Sequence, residues 1–145
     1  MKLTQLSLFL ENRPGRLIEP TRLLAAEGIN LMTLCLADTA EFGILRLIVQ
    51  DPARAAELLK AAGWAVNLTE VVAVEVPDQP GGLAGVLGVF EQAGLNVEYV
   101  YAVTLRCDDR AILVFRFQEP DQAIAALQAS GHQVLDAERL EALVG

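Results

Sequence analysis

The chain is poor in the residue types that most often carry chemistry: two cysteines, one histidine and 6% aromatic residues. Cys35 and Cys107 stand far apart with no C-x-x-C spacing, which argues against a disulfide framework or a zinc site. No metal and no cofactor are expected. Positive charge is also scarce. Eleven scattered Lys and Arg face nineteen Asp and Glu, for a net charge of −8. Neutralising phosphates takes a clustered basic surface, so nucleic acid is not an expected partner. Tyr99 and Tyr101 are the candidate sheet aromatics for stacking on RNA, and no basic run accompanies them. Long hydrophobic runs are missing too: none approaches the ~18 residues of a membrane helix. The opening MKLTQLSLFLENRPG resembles a signal peptide at first sight. Thr4, Gln5 and Ser7 break its apolar stretch, Glu11, Asn12 and Arg13 follow at once, and no small-residue cleavage site is offered. It reads as the first strand of a cytoplasmic protein.

What the chain does have is apolar residues, 53% of its 145 positions, which suits a packed core rather than a disordered chain. It also has an internal repeat. A shift of 66 residues lays Pro14-Gly15 on Pro80-Gly81, Leu17 on Leu83, and Gly28-Ile29-Asn30 on Gly94-Leu95-Asn96. Further on the shift is 68: Asp51-Pro52 meets Glu119-Pro120, Leu59 meets Leu127, and Gly63 meets Gly131. The two extra residues fall around Cys107, where a hairpin turn tolerates them.

Each copy alternates the two hydrophobic periods. In the first, residues 3–10 read as a strand, and Leu17, Leu23 and Leu24 mark a helix face that stops at Gly28. Strands over 31–37 and 44–49 flank a turn at 38–41, a helix starts at Pro52 and closes at Gly63, and 65–68 supplies a last strand. The second copy repeats the series over 71–76, 83–93, 97–105, 111–117, 122–129 and 133–135, followed by an amphipathic tail. The order is β-α-β-β-α-β twice, an α+β, ferredoxin-like arrangement with antiparallel sheets. The domains are 1–69 and 70–136, with a helical tail at 137–145. No linker separates them, and units of this size are marginal alone, so the two are expected to pack side by side.

The repeated joint between first strand and first helix has identifiable parts. Asn12 and Asp78 can satisfy free N–H groups just ahead, Pro14 and Pro80 fix φ, and Gly15 and Gly81 permit close approach. The helix N-terminus beyond them presents unpaired N–H groups and partial positive charge, which suits a carboxylate. Plain turn chemistry would explain one such joint; its recurrence points to a shared role.

Here the chain resembles the ACT-domain family of amino-acid-binding regulatory modules. The resemblance rests on Asn12-Arg13-Pro14-Gly15-Arg16-Leu17 with Glu27-Gly28-Ile29-Asn30-Leu31, and on Asp78-Gln79-Pro80-Gly81-Gly82-Leu83 with Ala93-Gly94-Leu95-Asn96-Val97. It covers all but the tail and looks most like small proteins made of two ACT units and no enzyme domain. It implies an amino-acid ligand held between the turn of one unit and the second strand of its neighbour, with pairing inside one chain or in a homodimer. Carried over residue by residue, one site uses Asn12, Arg13, Gly15, Arg16 and Leu17 against Asn96, Val97, Glu98 and Tyr99. The reciprocal site uses Asp78, Gln79, Gly81, Gly82 and Leu83 against Asn30, Leu31, Met32 and Thr33. Arg13 and Arg16 make the first turn cationic, and Glu98 with Tyr99 offers an ammonium partner and an aromatic wall. The first site therefore ranks ahead.

Sharper chemical readings fare worse. Gly81-Gly82-x-x-Gly85-x-x-Gly88 lacks the spacing of a dinucleotide fingerprint; Gly82, Gly85 and Gly88 are expected to let a helix pack close on the sheet. His132 is read as an exposed strand-start residue, Glu75 as facing solvent or an interface, and Cys35 as a small core residue. Cys107 falls at a hairpin tip. No catalytic constellation emerges, so no catalytic residues are assigned and no enzyme activity is expected. The leading expectation is an amino-acid sensor; the alternative is a ligand-independent interaction module that pairs with a partner protein through sheet edges.

Overall fold

The computed structural model describes residues 1–38, 41–103 and 109–144. Thr39 and Ala40 of the predicted turn, the last residues of the predicted strand 97–105, and Cys107 lie outside the described residues. The chain divides into two compact units, one formed by Thr4–Thr69 and one by Met1–Leu3 with Glu70–Gly145.

The first unit holds β1 (Leu3–Glu11), α1 (Ile18–Ala26), β2 (Leu31–Asp38), β3 (Phe42–Val49), α2 (Pro52–Ala61) and the opening residues of β4 (Val66–Pro77). Its strand order is β2-β3-β1-β4, with β1 and β2 both antiparallel to β3. Period-2 alternation sends Leu6, Leu8 and Leu10 of β1 and Leu45 and Leu47 of β3 to one face. There they form the core with Leu24 of α1 and Ala55 and Leu59 of α2. Pro52 stands at the start of α2, and the Asp51 side chain accepts from the Arg54 N–H at 3.2 Å, which fixes where this helix begins. Leu17 is not part of the apolar helix face: it precedes α1 and is exposed, and Pro20 takes the buried place beside Leu24.

The second unit continues β4 and adds α3 (Gly82–Gln92), β5 (Tyr99–Val103), β6 (Arg110–Arg116), α4 (Pro120–Ala129), β7 (Gln133–Leu135) and α5 (Ala137–Val144). Here the order is β7-β4-β6-β5, the same ferredoxin-like pattern. The core is aromatic where the first is aliphatic: Phe90 meets Phe115 at 5.1 Å and Phe117 at 4.7 Å, both edge-on. The tail is a helix, α5, capped by Asp136, whose carboxylate accepts from the Arg139 N–H at 2.8 Å; Leu140 is buried.

Three expectations need correction. The strands predicted at 65–68 and 71–76 are one strand, β4, because nothing in Asn67-Leu68-Thr69-Glu70 breaks extended backbone. β5 begins at Tyr99, not Val97, although the Glu98 N–H still bonds the Arg116 carbonyl at 2.9 Å. Gly85 and Gly88 do not bring α3 onto the sheet: an added Cβ at either would meet no atom within 4 Å, and Val86 and Phe90 carry the packed face.

Candidate functional site

The two Pro-Gly turns close in the same way. In the first unit the Asn12 N–H bonds the Glu41 carbonyl at 2.9 Å and the Arg13 N–H the Glu11 carbonyl at 2.9 Å. In the second, Asp78 bonds Asp109 at 2.6 Å and Gln79 bonds Pro77 at 3.0 Å. Gly15 and Gly81 hold φ of +86° and +89°, a region L side chains rarely adopt, and a Cβ at either would meet nothing within 4 Å. The backbone of each turn is thus open on one side. Asn12 and Asp78 lie in the turns rather than at the N-cap positions, which fall to Leu17 and Gly81; neither helix start has a side-chain cap. The first-turn N–H groups of α1 and α3 therefore carry the partial positive charge of an uncapped helix end.

Around this common frame the flanks differ. Arg13 Nε lies 2.9 Å from Glu11 Oε2, and Arg16 reaches Glu19 Oε2 at 3.1 Å and stacks over the Trp64 ring at 5.0 Å. Both arginines have carboxylate partners, so the first turn is charge-balanced instead of cationic as its sequence suggests. Trp64 and Glu11 were not among the expected residues. The i,i+3 spacing of Arg16 and Glu19 was a readable signal; the stacking of Arg16 on Trp64, distant in sequence, had none. In the second unit Gly82 replaces Arg16, and a Cβ there would collide with the Pro77 carbonyl oxygen. That close approach lets α3 start immediately after the turn, at Gly82, whereas α1 waits until Ile18.

The expected second-strand residues take separate places within their own units. Leu31 and Val97 pack against their units' cores. Met32 falls at a register shift between Leu31 and Thr33, and Asn30 precedes β2. Asn96 and Glu98 are exposed, Tyr99 is half-buried opposite Arg116, and Glu98 Oε1 lies 3.5 Å from Arg116 Nε. Leu17 and Leu83 are exposed beside their turns.

Three other residues depart from expectation. Cys35 is half-buried on β2 rather than in the core. The Glu75 side chain is only 7% exposed and its Oε1 pairs with Arg110 Nη1 at 2.8 Å, because the start of β6 brings a cation beside it. His132 is half-buried, with its Nδ1 shielded from solvent and lacking a partner among the described residues. Glu75, Arg110 and His132 line a cavity of about 510 Å³ next to the second turn. No group of three or more potential metal ligands occurs among the described residues. Nor is any described helix long and apolar enough to cross a membrane.

Two ferredoxin-like units, each with a Pro-Gly turn leading into an uncapped helix, define a tandem α+β domain pair. The chain belongs to the ACT domain pair family, whose model matches residues 1–144. A crystal structure of a Bacteroides thetaiotaomicron protein is 44% identical, with a TM-score of 0.91, over 97% of this chain and 96% of that one. The regulatory subunit of aspartate kinase from Thermus thermophilus shares the fold at 16% identity, with a TM-score of 0.63 over 88% of this chain and 91% of that one. The corresponding subunit from Thermus flavus does so at 18% identity and a TM-score of 0.62, over 88% and 92% of the two chains. Comparison with curated proteins gives no match.

Proposed function

We propose that this ACT domain pair is a non-catalytic sensor of an amino acid, which it binds at its Pro-Gly turns. Binding changes its assembly or its docking to a partner protein. The observation that carries this reading is the doubled turn itself: open at Gly15 and Gly81, and followed in both units by a helix start without a side-chain cap. Such N–H groups suit an α-carboxylate. On this proposal one site draws on Asn12, Arg13, Gly15, Arg16 and Leu17 with Asn96, Val97, Glu98 and Tyr99 of a neighbouring unit, and the other on Asp78, Gln79, Gly81, Gly82 and Leu83 with Asn30, Leu31, Met32 and Thr33, the neighbour belonging to the same chain or to a second copy. The fold shared with regulatory subunits of aspartate kinase is consistent with a regulatory role.

The test is a thermal-shift screen of the twenty amino acids on protein first freed of bound ligand by unfolding and refolding. A true ligand at ~100 Kd adds about 2.7 kcal/mol, which is a rise of roughly 5–11 °C for a chain of this size. No shift with any amino acid would sink the proposal. A second reading, ligand-independent pairing through a sheet edge, is favoured by Leu34 and Leu36, which are 51% and 45% exposed on the edge strand β2. Mass measurement in solution separates the two: under this reading the oligomer forms without any amino acid and is lost in Leu34→Lys.

A further inference from the structure

The duplication supplies an internal control for the cavity of the second unit. By the shifts of 66 and 68 the equivalent residues of the first unit are Trp64, on which Arg16 stacks, and Phe9 and Phe42, both about half exposed. In the second unit His132 stands for Trp64, Gly82 for Arg16, Glu75 for Phe9 and Arg110 for Phe42. Register agrees, since Glu11 opposes Phe42 and Pro77 opposes Arg110. The repeat thus keeps the backbone here and changes all four side chains. Two bulky side chains are exchanged for smaller ones, and two apolar side chains for an ion pair.

We infer that this cavity is a ligand site within the second unit, for a small zwitterion carrying one ammonium and one carboxylate. Its volume, about 510 Å³, falls in the range of small-molecule pockets. A carboxylate as covered as Glu75, 7% exposed, needs a cationic partner, and it has one in Arg110, which is itself 61% exposed. A zwitterion can enter such a pair without stranding either charge: its ammonium goes to Glu75 and its carboxylate to Arg110. A plain anion or cation satisfies one and leaves the other uncompensated. Gln79 and Gln133 add amide groups for the ligand's polar atoms, Gln133 lying directly opposite Glu75 in the β4–β7 pairing. Among the described residues the Nδ1 of His132 is buried without a partner, as is the Nε of Arg16 in the first unit. This inference stands apart from the first turn, because every lining residue belongs to the second unit; with the second turn it shares Gln79.

His132 is the chain's one histidine, so its ring signals in an NMR titration of the untagged chain are assigned without ambiguity. Each of the twenty amino acids is titrated in turn. The expected result is a saturable shift of the His132 ring signals with at least one of them. That affinity falls at least tenfold for its N-acetyl and its amide derivatives, and at least tenfold in Glu75→Gln. It is unchanged in Gly15→Asp, the variant that removes binding at the first turn under the preceding reading. Ring signals unmoved by all twenty would overturn the inference. So would a shift that survives Glu75→Gln at full affinity, or one abolished by Gly15→Asp. Failure of the sensor proposal reads differently: Gly15→Asp then leaves all binding unchanged, and the His132 response stands or falls alone.

Discussion

The first and second Pro-Gly turns share their backbone and differ in what surrounds it. Both close through the same hydrogen bonds, and both place glycine near φ +90° with open space beyond. In the first unit Arg16 fills the flank, held by Glu19 and stacked on Trp64. In the second unit Gly82 lets the chain close on the Pro77 carbonyl, and a polar cavity lies alongside. The lesson is that duplication preserved the backbone device while its side-chain surroundings diverged. One turn is packed and charge-balanced; the other is tight and adjoins a polar cavity.

The comparison can be broken first in the cores beneath the turns. Leu24 and Phe90 are equivalent by the repeat and both fully buried. Phe90→Ala loses ring contacts with Phe115 and Phe117 and is expected to cost about 3–5 kcal/mol, against about 2–5 for Leu24→Ala. Urea denaturation measures both; equal losses below about 1 kcal/mol would mean that neither core is packed as described.

A smaller effect separates the two turns directly. Gly82→Ala forces a Cβ onto the Pro77 carbonyl and is expected to destabilise by about 1–3 kcal/mol. Gly15→Ala meets open space, so only the positive φ opposes it, at about 1–2 kcal/mol. Arg16→Met removes the stacking on Trp64 and should cost about 0.5–1 kcal/mol. It should also move the emission of Trp64, the chain's one tryptophan. Unchanged emission would place Arg16 away from the ring.

The smallest effect lies at the N-terminus of the second unit. Lys2 bonds Asp121 and lies 3.3 Å from Glu70, and these partners raise its pKa above the ordinary 10.5, the Asp121 hydrogen bond contributing most. A raised folded pKa means that this contribution to stability is fully present below 10.5 and lost as pH rises through the folded value. Lys2→Met should therefore change stability slightly at neutral pH and flatten its decline in the alkaline range. An alkaline decline of the same slope in the variant would assign it to other groups.

Much of the fold was legible because it was written twice. Alternation in Leu6, Leu8 and Leu10, Pro52 after Asp51, and Gly28 and Gly94 at helix ends each set an element, and the repeat confirmed the pattern. Periodicity does not say what covers a face, so from sequence Glu75 reads as facing solvent or an interface, His132 as exposed and Gly85 as packed. The charge state of the first turn was misread because Arg16 is settled by Trp64, far along the chain. The turns were legible because their parts are contiguous; the cavity was not, since β4, β6 and the α4–β7 joint assemble it from separate stretches.

The most direct test of the central claim is titration calorimetry of the most stabilising amino acid against the wild type and Gly15→Asp. Aspartate is among the side chains that best tolerate positive φ, and the space at Gly15 is open, so the variant should fold. It places a carboxylate where the ligand's must lie. The account predicts that binding at the first turn disappears, leaving a lower stoichiometry; unchanged affinity and stoichiometry would contradict it.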